Sequence, residues 1–222
     1  MASKSRSYHV SATPVTVFAH LFVVAVTILV LVWLLHFRGG LAFRTIKKYE
    51  IINVHILLMV VGFILVAGEA ILALKRIPAT RRVRKAGHGI LQVIALIAGI
   101  VGVYAAFKYK HESGREDMIS LHSWLGMCTV CLFGLQWLLG FFSFVFPGAQ
   151  TSSRASYLPW HIFGGLFIFF LAICTAETGL LERFNTLGLG HNQEGLLVNF
   201  TGLLLILFAL AVGFTILLPH QD

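Results

Sequence analysis

Six apolar runs, at about 14–37, 51–74, 86–107, 120–146, 157–181 and 196–218, are each long enough to cross a ~30 Å hydrocarbon layer as a helix. No other feature restricts the fold as strongly. Inside a bilayer every backbone donor and acceptor must be bonded within the protein, which leaves helices or a closed barrel. The runs are continuously apolar and lack the alternation of barrel strands, so helices are expected. The composition agrees: 58% of the 222 residues are hydrophobic and 12% charged, with a mean hydropathy of +0.86. These values exclude an ordinary soluble domain. The expected fold is an all-α integral membrane bundle of six transmembrane helices forming one domain over 1–222. The apolar run after "MASKSRSYHV" is too long for the core of a cleaved signal peptide, so the first span is expected to stay.

Charge orients the bundle. The net charge is +8, but the basic residues lie in short loops and termini, which points to membrane orientation rather than nucleic acid. Six spans put both termini on one side with the loops at 75–85 and 147–156. Lys and Arg number nine there and eight opposite. The stretch "KRIPATRRVRK" carries six positive residues in eleven without an acid, whereas the opposite loops mix Lys and Arg with Glu and Asp. Both termini are therefore expected in the cytosol. The three cysteines, Cys128, Cys131 and Cys174, fall within spans and read as small packing residues, without a disulfide framework. Leu132 follows the CxxC where covalent c-type haem attachment would need His.

Ten histidines are present. His9, His111, His191 and His220 fall in loops or termini, and His20 and His36 near the ends of the first span. His55, His88, His122 and His161 each lie within about a turn of a span's start. Neighbouring spans run in opposite directions, so His55 and His122 share an outer level and His88 and His161 an inner one, roughly 20 Å apart at ~1.5 Å rise per residue. Spans two and three, then four and five, repeat as hairpins with an outer histidine followed by an inner one.

A pair of imidazoles is too few for zinc, which takes three or four protein ligands, and no Cys or acid completes either level. Haem iron needs only two axial ligands from the protein, because the porphyrin supplies four nitrogens. Small residues that give a macrocycle room accompany the histidines: Gly126, Gly164 and Gly165, Gly87 and Gly89, and Gly62. With both axial positions filled, iron favours electron transfer over oxygen activation. Two such haems stacked by depth would make a wire across the bilayer. Glu69 and Glu177 also lie in apolar spans, but near span ends, where a snorkelling or protonated acid serves equally well.

These residues resemble the cytochrome b561 family, the transmembrane ascorbate-dependent oxidoreductases, and especially its plant members. The resemblance runs along nearly the whole chain: "WLLHFRGGLAF", "NVHILLMVVGF" with "GEA", "RRVRKAGH", "SLHSWLG", "SSRASYLPWHIFGG" and "LLVN", in that order. It implies a six-helix homodimer with a central four-helix di-haem core, in which the second to fifth helices hold two b-type haems per chain, one ligated by His55 and His122, the other by His88 and His161. It also implies cytosolic ascorbate as donor and monodehydroascorbate or a ferric chelate as acceptor on the opposite side of the lipid bilayer. Residence in a vacuolar, vesicular or plasma membrane is compatible with it.

Positions matching the family's ascorbate site are Arg81, Lys85 and Arg154, with Arg81 standing where relatives often have Lys. Lys85 is the residue best placed to assist proton loss. On the acceptor side, Lys110 stands where a substrate-contacting His is common, with His111 adjacent, and Ile119 where Tyr is frequent. The competing reading of the same histidines is a haem-free transporter or proton pathway. A haem protein would be coloured; a transporter or a membrane scaffold would not.

Overall fold

A computed structural model describes residues 13–76, 79–146 and 150–217. The N-terminal stretch with Lys4, Arg6 and His9 lies outside them, as does His220. Among the described residues six helices are long and apolar enough to cross a membrane: α1, Pro14–Phe37; α2, Tyr49–Leu74; α3, Arg81–Glu112; α4, Leu121–Phe144; α5, Thr151–Thr186; and α6, Gln193–Leu217. No strand occurs among the described residues.

Helices α2, α3, α4 and α5 pack in a ring, each against the next, with α5 returning to α2. α1 and α6 pack against each other outside this ring, α1 reaching α2, and α6 reaching α2 and α5. The dry core lies on that side. Val26, Val30 and Trp33 of α1, Phe63 and Leu72 of α2, and Leu205, Phe208 and Val212 of α6 are buried.

Two helices extend five or more residues beyond their apolar runs at each end. α3 was expected from 86 but begins at Arg81, because Thr80 caps it, its hydroxyl accepting from the Val83 N–H. α5 was expected from 157 but begins at Thr151 and contains Pro159 within its third turn. Hydropathy marks where hydrocarbon ends, whereas a helix continues as long as its backbone bonds are satisfied. α2 contains a second departure: a π-helical stretch, Leu58–Leu65, between α-helical segments Tyr49–Leu57 and Val66–Arg76. Such stretches frequently occur at functional sites, and this one starts three residues after His55.

A polar clamp fixes the end of the bundle where α1 stops and α6 starts. The Arg38 guanidinium donates to both carboxylate oxygens of Glu194, and Trp33 Nε1 donates to Glu194 Oε1 at 2.7 Å. The chain then turns through Gly39 (φ +73°) and Gly40 (φ +112°), left-handed conformations that favour glycine. Asn53 of α2 captures that turn, its amide donating to the Arg38 and Gly40 carbonyls at 2.9 and 2.7 Å. Glu194→Gln leaves the mostly buried Arg38 charge without its counterion, a change that costs roughly 3–5 kcal/mol in comparable pairs. A marked fall in the thermal unfolding midpoint is expected; an unchanged midpoint would show that the clamp does not hold α1 to α6.

Candidate functional site

The ring interior brings the four histidines together as two pairs. His55 of α2 faces His122 of α4 with ring centroids 6.0 Å apart and planes at 86°. His88 of α3 faces His161 of α5 at 6.3 Å and 78°. Antiparallel succession places the first pair at the end of the bundle bearing Lys110 and the second at the end bearing Arg81. Between the two levels α2 meets α4 through Phe63 and Phe133, whose centroids are 4.7 Å apart.

In three of the four histidines hydrogen bonding settles which ring nitrogen is free. Nδ1 of His55, His88 and His122 lies 2.9 Å from the backbone carbonyls of Gly102, Ala70 and Thr175, respectively. A carbonyl only accepts, so each of these Nδ1 atoms carries the proton and each Nε2 keeps its lone pair for a metal. Orientation of a ligating imidazole by a backbone carbonyl is a usual outer-shell arrangement. His161 is held differently. Its Nδ1 is 3.1 Å from the amide nitrogen of Gln136, which also donates to the His161 carbonyl at 2.7 Å.

These pairs fit haem iron. Metal–imidazole bonds of about 2 Å on opposite sides of one ion put the ring centres about 6 Å apart, the separation seen at both levels. Among the described residues no group of three or more His, Cys, Asp and Glu side chains could hold a metal ion by themselves. Two imidazoles at each level suit an iron whose remaining donors come from a porphyrin. A cavity reaches from His55 and His122 to the protein surface, with Gly126 and Gly179 in its wall.

The glycines divide differently from the sequence expectation. Gly62 is a helix contact, since a Cβ there would lie 2.7 Å from Ala98 Cβ on α3. The close approaches to the imidazoles come from the facing helices. A Cβ on Gly179 of α5 would meet His122 Cε1 at 2.6 Å, and one on Gly140 of α4 would meet His161 Cε1 at 2.9 Å. The signal is present in the sequence as a glycine six residues before the end of α4's apolar run and another late in that of α5. It was missed because spacing was measured along each histidine's own helix.

At the Arg81 end, Arg81, Lys85 and His88 follow one another at i, i+4 and i+7, one stripe of α3. Arg154 precedes His161 by the same seven residues on α5. Lys85 has Arg81 and Arg154 as its charged neighbours, so the three expected basic residues converge. The Lys85 ammonium lies 5.9 Å from the centroid of the Phe144 ring, and that ring meets His161 edge to face at 5.2 Å. Cation, aromatic ring and imidazole therefore form a continuous contact from the mouth to the inner pair.

At the other end Lys110 lines the cavity of His55 and His122, and its Nζ lies 3.5 Å from Ser123 Oγ. His111 is not among the lining residues, and Ile119 is exposed. Arg115 and Arg183, which the sequence reading passed over, do line it. Among the remaining polar residues, Glu69 is engaged with His20, Nδ1 to Oε1 at 2.8 Å. Glu177 Oε1 is buried without a hydrogen-bond partner. The three cysteines are free and face outward rather than into the packed interior.

The profile of the eukaryotic cytochrome b561 family matches residues 54–186, which include all four histidines of the two pairs. Over 208 residues the chain is 49% identical to the "Probable ascorbate-specific transmembrane electron transporter 1" of Oryza sativa subsp. japonica, covering 91% of this chain and 89% of the relative. It is 44% identical to the "Ascorbate-specific transmembrane electron transporter 2" of Zea mays (95% and 91% covered). It is 42% identical to the "Transmembrane ascorbate ferrireductase 1" of Arabidopsis thaliana (93% and 88% covered). The chain belongs to the cytochrome b561 family. It is accordingly an integral multi-pass membrane oxidoreductase, and the family implies b-type haem.

Proposed function

We propose that this chain moves single electrons across the bilayer from cytosolic ascorbate to monodehydroascorbate or a ferric chelate, and that it holds two b-type haems, one on His88 and His161, the other on His55 and His122. The observation that carries this reading is the presence of two imidazole pairs, each about 6 Å between ring centres, beneath two cationic mouths at opposite ends of one ring of helices. When bound, each haem would supply an iron that exchanges one electron, held by His88 and His161 at one level and by His55 and His122 at the other. Proton relays are less well served by these histidines, because three of the four have Nδ1 committed to a backbone carbonyl. The names of the similar plant proteins, which specify ascorbate, electron transport and ferrireductase activity, support the same donor and acceptor classes.

The Arg81 end faces the cytosol in this reading, since it carries the dense basic loop. Arg81, Lys85 and Arg154 hold the ascorbate monoanion by charge-assisted hydrogen bonds. The donor loses one electron and one proton and leaves as monodehydroascorbate; the proton passes to cytosolic water beside Lys85. At the opposite mouth the acceptor gains one electron: a ferric chelate becomes ferrous, or monodehydroascorbate takes up a proton as well and returns to ascorbate. Phe63 and Phe133 keep the span between the two levels dry.

Replacing Arg81, Lys85 or Arg154 by Ala is expected to slow ascorbate-driven reduction about tenfold each, the equivalent of one charge-assisted hydrogen bond, with pigment retained. Stopped-flow absorbance on the purified protein measures this. Unchanged rates in all three variants would remove the donor site from this end.

A further inference from the structure

Arg183, at the outer end of α5, has its Nε buried without a hydrogen-bond partner. Its neighbours make this costly. Arg38 and Arg115 are the charged groups nearest to it, with Tyr109 as the other polar contact, and Arg183 is itself the cation that acts on His55. Arg38 is neutralised by Glu194. Among the described residues neither Arg115 nor Arg183 forms an ion pair, although Asp117 and Glu182 line the same cavity. The Arg115 guanidinium instead lies 5.7 Å from the centroid of the Tyr109 ring. The partly buried Arg183 charge beside a low-dielectric cavity calls for an anion, because a charge removed from water needs a partner, and the exposed Arg115 guanidinium lines the same cavity, where it can share that anion. Planar guanidinium groups favour a planar two-oxygen anion.

We propose that Arg183 and Arg115 form a carboxylate-holding site over the His55–His122 pair. This deepens the electron-transfer reading above and rests on it. The arrangement mirrors the opposite mouth: Arg154, at the other end of α5, likewise has a buried Nε without a partner. One helix thus presents an arginine to each level. The carboxylate has two sources, an acidic side chain of a macrocycle seated on His55 and His122, or an anionic ferric chelate arriving from the aqueous phase.

The test uses wild-type protein and Arg183→Gln, Arg183→Lys and Arg115→Gln variants in lipid nanodiscs, matched for size-exclusion profile and unfolding midpoint. Two quantities are measured: KM for ferric citrate beside that for the cationic oxidant hexaammineruthenium(III), and the rate of haem transfer to apomyoglobin. If the chelate is the source, Arg183→Gln raises the KM for ferric citrate about tenfold and not that for the cation. If the macrocycle is the source, haem transfer accelerates about tenfold instead. Arg183→Lys, which keeps the charge without the fork, falls between wild type and Arg183→Gln.

Values within twofold of wild type on both measures, in Arg183→Gln and Arg115→Gln alike, overturn the site, as does an equal KM change for both oxidants. Should Arg183→Gln fail to fold, Arg183→Lys and Arg115→Gln decide by the same criteria. A wild-type protein that lacks pigment or is not reduced by ascorbate overturns the electron-transfer reading itself, whatever these variants do.

Discussion

His88→Ala and His161→Ala each lose about half of the protein's haem, and ascorbate no longer reduces what remains. The expectation follows from the two-level arrangement: His88 and His161 face one another at 6.3 Å, and iron that needs two axial ligands is not held by one of them. Haem per chain, from pyridine haemochrome absorbance, together with the ascorbate-reduced spectrum, gives the result. The corresponding variants at His55 and His122 should keep ascorbate reduction of the remaining pigment while losing transfer to an external acceptor. Retention of both pigments in either set removes the assignment of ligands.

Gly179→Val should be as damaging as loss of the ligand it touches, although glycine has no chemistry of its own. Its Cβ would sit 2.6 Å from His122 Cε1, where real contacts are about 3.5–4.0 Å. The imidazole must then leave the Thr175 carbonyl that orients it. Loss of the outer pigment alone is expected, with the inner pigment still reduced by ascorbate. Gly140→Val should produce the reverse, through His161. Gly62→Ala provides the contrast: it presses α2 against Ala98 of α3, and should lower the unfolding midpoint without selecting one pigment. Spectra of the variants with equal loss of both pigments, or of neither, would show that the glycines serve packing only.

The six helices and the two histidine levels were legible in the sequence for a simple reason. Continuous hydropathy counts spans, and antiparallel succession converts positions along the chain into depth. What remained hidden depends on facing directions. Gly140 and Gly179 were passed over because a glycine makes room for the neighbouring helix's side chain, not its own. By hydropathy Arg183 is one basic residue in a loop, yet the helix continues to Thr186 and carries it into the cavity wall. Conversely, Arg81, Lys85 and His88 read as a loop followed by a span. Only the helix start at Arg81, capped by Thr80, turns them into one stripe. The acceptor-side pairing of Lys110 with His111 separates for a similar reason: adjacent residues on a helix point about 100° apart, and only Lys110 points into the cavity.

The wider turns at Leu58–Leu65 carry a consequence for how this protein tolerates change. α2 supplies His55 near one end and, through the Ala70 carbonyl, the anchor of His88 near the other, so a single rod gauges both depths. A π stretch accommodates more residues per turn than an α-helix, which sets the rotation of one half of that rod against the other. Shortening the stretch by one residue would twist the two gauge marks out of alignment even if every side chain at both levels were kept. Length in this segment therefore matters to the alignment of both histidine pairs, and insertions or deletions belong in the loops instead.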